Sequence, residues 1–343
     1  MKYFSLKTLE DFSTTLLTSK GVPEKNARYI AEMAVKTEAM GITTHGLSVL
    51  SYLDKQIPEI FLPQTEPEVV REKGAVALID GKNGFSQIAL KKATEMAIEK
   101  ASEMGIAMIA IKNTCWLGAL GPYLEPIARS GFMAQLWGQS SQCSDCAPTG
   151  GIVPKFSTNP VALAFPTAGD PVVADISTAT VSMGAVMRMA KNNEKALDNI
   201  FMDKEGRATD DPHAMLDNGS IFFLGGPHYA HKGFGLSLWA EALTAMAGGS
   251  SNNPEIEQHQ SLNLMVVDID AFFGKDYFQQ EITRFVAHMK NNTLRPGSDA
   301  IRLPGERAFK SLEHAKKQGL ALDDTRLKAL NDIAQQNSID LLK

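Results

Sequence analysis

His45 lies in the heptapeptide Gly41-Ile42-Thr43-Thr44-His45-Gly46-Leu47, just after a helical pattern and between hydroxyls and a glycine. An imidazole, with an ordinary pKa of about 6.5, gives and takes protons at neutral pH. Hydroxyls and backbone groups beside it can orient the ring, and Gly46 frees the chain to turn. The same placement suits a solvated or helix-capping histidine. Both readings, general acid/base and cap, follow from the residues.

Cys143-Ser144-Asp145-Cys146 offers a second constellation. A structural zinc site takes four ligands, and neither a second C-x-x-C nor a close histidine pair accompanies this one. The pair follows an apolar run in a polar loop, not at a helix start, which argues against a redox dithiol. The expectation is two loop thiols and no metal. A dinucleotide fingerprint G-x-G-x-x-G is absent: Gly233-Phe234-Gly235 lacks the third glycine and lies inside a helical pattern. The phosphate loop G-x-x-x-x-G-K-S/T and the nucleophile elbow G-x-S-x-G are missing as well.

Helical spacing dominates the first seventy residues that must position His45. Apolar positions over 6–21 and 23–41 recur as in helices, each closing on glycine, and 47–57 gives a third amphipathic stretch. From about residue 75 the pattern changes to short apolar runs, 75–80, 106–111, 132–137, 161–166 and 172–176, with helices over 86–105 and 118–131 between some of them. That alternation predicts an α/β sheet layered with helices. Residues 232–249 read as a buried helix, 261–270 as a central strand, 275–292 as an amphipathic helix, and 305–319 and 323–336 as two closing helices. Helical beginnings and ends around an α/β middle predict that the two chain ends pack together.

With 343 residues and 44% hydrophobic content, the chain can bury a large core. Its 34 basic and 39 acidic residues give a net charge of -5, with no basic footprint for a nucleic-acid backbone. The N-terminus lacks the apolar core of a signal peptide, and no uncharged apolar run reaches the roughly 18 residues that a membrane span needs. Three cysteines are too few for a disulfide framework. A cytoplasmic enzyme that binds neither nucleic acid nor membrane is expected.

Seven stretches, in order, carry a resemblance. Residues 41–47 resemble a G-x-x-S-H-G turn, 113–123 an N-S-x-H-F-G-A-x-G segment, and 147–166 a P-x-G-G…G-T-N-P…P stretch. A strand ending in aspartate (172–178), G-x-x-T-x-D-P (206–212), a K-G-x-x-L helix (232–238) and R-x-P-G-E (302–306) follow. Together they resemble the malate/L-lactate dehydrogenase family of the non-Rossmann type. That family also holds ureidoglycolate and sulfolactate dehydrogenases, diketogulonate reductase and piperideine/pyrroline-2-carboxylate reductases.

The resemblance covers nearly the whole chain and implies a fold: a mixed β-sheet domain (73–305) that binds NAD or NADP without a glycine fingerprint. Both chain ends (1–72 plus 306–343) would form a helical domain, with the active site between the domains of a homodimer. It also implies hydride transfer between nicotinamide and the carbon next to a carboxylate, as in 2-oxo and 2-hydroxy acids. His45 would be the acid/base, and Thr44, Trp116 and Lys232 would meet the substrate. Ser140, Asn159, Asp175, Ile176, Ser177, Leu224 and Gly225 would meet the cofactor, with Pro304, Gly305 and Glu306 closing over it.

Three departures qualify that reading. Ser48 and Val49 stand where the family places an arginine suited to clamping a carboxylate. Trp116 replaces the family's second histidine, giving a flat apolar face that cannot exchange protons. Phe223-Leu224-Gly225-Gly226 departs from P-L-G-G, and the Cys143 loop replaces an asparagine-serine-proline sequence. Residues 117–131 resemble the cyclic-imine reductases in their spacing. The alternatives are therefore a Δ1-pyrroline- or piperideine-2-carboxylate reductase, and a catalytically silent cofactor-binding paralogue.

Overall fold

The computed structural model describes residues 1–141, 143–249 and 260–343. After a short strand β1 (Lys2–Phe4), the expected helices form as α1 (Leu6–Ser19), α2 (Glu24–Ala39) and α3 (Ser48–Gln56). Ser5 caps α1 by accepting the Thr8 amide at 3.0 Å, satisfying a donor that the helix cannot pair itself. The sheet region runs β2 (Glu68–Lys73), β3 (Val76–Gly84), α4 (Ser86–Met104), β4 (Ile106–Thr114), α5 (Gly121–Arg129), β5 (Phe132–Ser140), β6 (Val161–Phe165) and β7 (Val172–Ile176).

Small elements follow: α6 (Met183–Asn192), β8 (Phe201–Met202), β9 (Ala208–Thr209), α7 (Pro212–Leu216), β10 (Ser220–Ile221) and α8 (Gly226–Tyr229). The chain ends with α9 (His231–Ala245), β11 (Gln260–Asp268), α10 (Lys275–Lys290), α11 (Glu306–Gln318), β12 (Leu320–Leu322) and α12 (Asp324–Gln336).

Seven strands make one mixed sheet in the order β2-β3-β4-β11-β5-β6-β7. Only β3 and β4 are parallel, joined by α4 as a crossover. β11 lies in the middle as its apolar run predicts, paired antiparallel to β4 on one side and β5 on the other. The chain ends meet: β1 pairs antiparallel with β12, α11 packs on α2, and α12 packs on α3. One apolar core runs from Leu9 and Ile30 through Ile79 and Ile109 to Leu264. A second, smaller core gathers Cys146, Val186, Phe201, Ile221 and Phe223 beneath the three-stranded sheet β10-β8-β9.

Two expectations need correction. Residues 232–249 do form a helix, but α9 is not buried all round: it buries Gly233, Ser237, Ala240, Leu243 and Thr244. Leu236, Leu238, Trp239 and Met246 stay exposed on the isolated chain. Apolar composition signals burial without saying against what. Nor are the two neighbouring thiols alike, because Cys146 is a core residue while Cys143 is exposed.

Gly233 illustrates how α9 holds the loop at residues 224–225. A Cβ there would lie 2.3 Å from the Leu224 nitrogen and 2.5 Å from the Thr178 oxygen. Alanine favours a helix over glycine by about 1 kcal/mol, but overlap with two backbone atoms has no rotamer to relieve it. Gly233→Ala is therefore expected to lower the melting temperature followed by circular dichroism. An equal or higher value would show that the 178–224 contact yields freely.

Candidate active site

The helix α2 ends at Ala39, Gly41 turns the chain with φ 79°, and a tight turn carries His45 before α3 begins. Nδ1 of the half-buried ring lies 2.7 Å from Thr44 Oγ1. A hydroxyl both donates and accepts, so Thr44 can partner the ring in either protonation state. Nε2 has no hydrogen-bond partner among the described residues and is not sealed from solvent. Burial disfavours the charged ring and holds His45 below its ordinary value.

Aromatic rings wall one side of this imidazole. Trp116 lies 5.4 Å from His45 between ring centres, and Tyr52 meets Trp116 edge-on at 5.3 Å. Gly184, in the first turn of α6, lies on another side, where a Cβ would be 3.2 Å from Thr44 Cβ and 3.8 Å from the His45 ring. Sequence reasoning missed both Tyr52 and Gly184. A signal for Tyr52 existed: Ser48, Tyr52 and Lys55 recur at helical spacing on the polar face of α3. Val49, at the absent arginine's position, is 3% exposed and packs beside Gly118.

A loop ties the ring to the sheet. Gly118 covers the His45 carbonyl so closely that a Cβ would lie 2.9 Å from it. Two residues on, the amides of Leu120 and Gly121 at the start of α5 donate to Asp175 Oδ2 at 2.8 and 2.7 Å. Asp175 thus caps a helix that has no side-chain cap of its own. It also remains accessible, and Oδ1 has no partner among the described residues. The surrounding protein mass raises its pKa against the pull of those two amides.

Most of the other expected cofactor residues gather along β7 and its extension. Val173 donates to the Pro304 carbonyl at 3.1 Å, and Gly305 packs beside the same residue. Ile176 is exposed, Ser177 Oγ donates to the Thr158 carbonyl at 3.0 Å, and the Leu224 amide donates to Thr178 at 2.9 Å. Gly225 has φ 104°, and a Cβ there would lie 2.2 Å from the Tyr229 oxygen, so only glycine fits. The Ser140 amide faces Ser157 Oγ at 3.4 Å, at the neighbouring strand end.

Three of the expected residues are otherwise engaged. The fully buried Asn159 side chain donates to Ser237 Oγ at 2.9 Å and Glu241 Oε1 at 2.8 Å and accepts from Ser157, so it anchors its loop to α9. Glu306 pairs with Lys290. Lys232 is exposed over the Tyr229 ring at 5.1 Å, and no contact among the described residues joins it to His45. Asp145 is a further residue that the sequence reading passed over. It is almost wholly buried, and burial pushes it up to about 6 although the Thr158 amide pulls the other way.

The arrangement could serve acid–base chemistry. It has one available imidazole nitrogen and, tied to it through the loop from Gly118 to Gly121, a strand end with small side chains and one accessible carboxylate. The chain belongs to the malate/L-lactate dehydrogenase family, whose model matches residues 4–331, and it is an oxidoreductase. It is 29% identical over 338 residues to malate dehydrogenase of Pyrococcus abyssi, covering 96% of this chain and 93% of that one. It is 30% identical over 335 residues to a Δ1-pyrroline-2-carboxylate/Δ1-piperideine-2-carboxylate reductase of Pseudomonas putida, covering 95% of each. The solved malate dehydrogenase of Pyrococcus horikoshii superposes with a TM-score of 0.89 at 28% identity, over 99% of this chain and 97% of that one.

Because burial penalises the imidazolium, the His45 ring resonances of the free protein should titrate with a midpoint below the ordinary 6.5. The neutral ring then predominates at neutral pH. A midpoint at or above 6.5 would contradict the burial described here.

Proposed function

We propose that this oxidoreductase interconverts a 2-oxo acid and a 2-hydroxy acid, with His45 as the acid/base. The accessible, unpartnered Nε2 of His45, on a turn tied to β7 through the loop from Gly118 to Gly121, carries the reading. Asp175, Ile176, Ser177, Ser140, Leu224 and Gly225 would hold NAD or NADP, with Pro304, Gly305 and Glu306 at its margin and Asn159 acting through its loop. Their exposed Ile176, accessible Asp175 and glycine-only approach at Gly225 suit a dinucleotide lying close to backbone. Bound there, the nicotinamide supplies or removes a hydride at the carbon next to the substrate carboxylate.

In reduction, the His45 imidazolium gives its Nε2 proton to the carbonyl oxygen as the adjacent carbon gains the hydride. In oxidation, the neutral ring takes the hydroxyl proton back. Thr44 steadies Nδ1 throughout, and Trp116 fills the side of the pocket. Lys232, which stands over the Tyr229 ring here, completes the proposed substrate contacts. The aromatic wall favours a second reading, in which the proton goes to the nitrogen of a cyclic imino acid.

The working molecule is proposed to be a cytoplasmic homodimer, with residues 1–72 and 306–343 as a helical domain against 73–305. Its three free thiols and the pairing of β1 with β12 support that picture. A second copy is the occupant proposed for the bare face of α9, and α10 likewise buries no residue within the chain. Among the described residues, no helix is long and apolar enough to cross a membrane.

Oxidation of NADH and NADPH against a panel of 2-oxo acids and cyclic imino acids tests the substrate class. With the best substrate, His45→Ala should lower kcat by about 10²–10⁴, the usual contribution of a positioned acid, while the cofactor Kd stays unchanged. Equal loss of turnover and cofactor binding would count against the assignment. Trp239→Glu should shift the protein from dimer to monomer in sedimentation velocity, because a charge on a 58% exposed apolar residue opposes its burial by another copy. An unchanged sedimentation coefficient would remove α9 from the interface.

A further inference from the structure

The turn carrying His45 is clamped by residues remote from the site. Leu47 stands at the N-cap position of α3 and offers no side-chain acceptor of its own. Its amide donates instead to Glu38 Oε2 at 2.9 Å, from the last turn of α2. Gly46 permits that approach, since a Cβ would lie 2.4 Å from Glu38 Oε2 and 2.7 Å from the Glu38 backbone nitrogen and Cα.

The other carboxylate oxygen, Glu38 Oε1, accepts from Arg326 Nη1 at 2.7 Å. Arg326 arrives from α12 with its own fork held, Nε on Asp323 Oδ2 at 2.8 Å and Nη2 on the Ala321 carbonyl at 3.3 Å. The Glu38 side chain is only 1% exposed, so its negative charge has the Leu47 amide and this guanidinium in place of water. Burial raises the Glu38 carboxyl, and the Leu47 amide and Arg326 oppose that rise. Asp323, the other charged group facing it, is shared with Arg326.

We propose that Glu38 and Arg326 are positioning residues for the proton step: Arg326 aims the Glu38 carboxylate, Glu38 holds the Leu47 amide, and the C-terminal helix thereby sets where the His45 ring stands. This rests on His45 being the acid. Neither residue touches the reacting atoms, and their influence passes through two residues of backbone.

The test combines Arg326→Met and Arg326→Lys in the full-length protein with two readouts. One is kcat per folded active site, counted by cofactor fluorescence titration. The other is the titration curve of the His45 ring in the free protein, assigned by the signal lost in His45→Gln. Arg326→Met should lower kcat by about 10²-fold, the scale of a misplacement of about 1 Å, with the KM for cofactor unchanged and the ring's titration midpoint shifted. Arg326→Lys, keeping the charge without the fork, should recover part of both.

A folded Arg326→Met protein with kcat and ring titration as in the parent overturns the proposal. So does a loss of activity that disappears when counted per folded site. If His45→Gln itself leaves kcat intact, the acid assignment falls separately, and the ring titration alone decides: shifted supports positioning, unshifted overturns it. Should Arg326→Met not fold, Glu38→Gln keeps an acceptor for Leu47 while removing the charge, and the same two readouts apply.

Discussion

Pairing of β11 on both of its edges is the constraint on which the rest depends. Leu264 lies opposite Ile109 of β4 and Leu136 of β5, so a strand beginning at residue 260 separates two strands from the chain's first half. Closing so long a loop is entropically costly, and the buried apolar strand must offset that cost. The insertion also builds the site. Gln260, its first residue, accepts the Leu117 amide through Oε1 at 2.7 Å and the Thr114 hydroxyl through its carbonyl at 3.0 Å. Gln87 holds the Leu117 carbonyl at 3.2 Å from the other side. The loop bearing Trp116 is thus fixed by the central strand, and Trp116 can stand against His45 as a wall.

One electrostatic device is used twice around that wall. Both α3 and α5 start without a side-chain cap, and each receives a carboxylate from elsewhere, Glu38 for α3 and Asp175 for α5. Negative charge at a helix N-terminus stabilises by about 0.3–1 kcal/mol, and more where it is partly buried. The two acids fix the turns on either side of Gly118, and so fix His45 relative to β7. His45 itself is paired with a hydroxyl. A carboxylate in that place would raise the ring's pKa and keep it charged, whereas Thr44 lets burial dominate and serves the ring in both of its states.

Much of this was legible in the sequence because helical and strand periodicity reports which face is apolar. The helices around His45 and six strands of the main sheet carried that signal, whereas the edge strand β2, a polar run of mostly exposed residues, was not marked by it. The two-residue strands β8, β9 and β10 are too short for any period to develop. The exposed side of α9 escaped for a different reason, since a helix apolar on both faces looks the same whether its own chain or another covers it. At the site, His45 and the residues along β7 were marked by the family's motifs. Asn159 and Asp175 were recognisable as important without their duties being visible, because those duties are contacts with Ser237, Glu241, Leu120 and Gly121 that no local spacing encodes. The bond from Arg326 to Glu38 spans 288 residues and is the extreme case.

On the proposed function, substrate choice would turn on the residues at two positions where the family's polar side chains were expected, Val49 and Trp116. With Val49 buried and an indole at Trp116, the wall beside His45 offers ring faces in place of a fixed cation and a second imidazole. A substrate's distal carboxylate placed there would lose hydration without gaining a counter-charge, and burying an unpaired charge is strongly unfavourable. An apolar chain or ring gains about 25 cal/mol for each Å² it buries. With His45 as the proposed acid, the chemistry at Nε2 would be indifferent to this difference, because the proton would go to the atom double-bonded to the carbon beside the carboxylate, whether oxygen or nitrogen. On the proposed function, discrimination between an open 2-oxo acid and a cyclic imino acid would therefore belong to Trp116 and Tyr52, and His45, as the acid, would take no part in it.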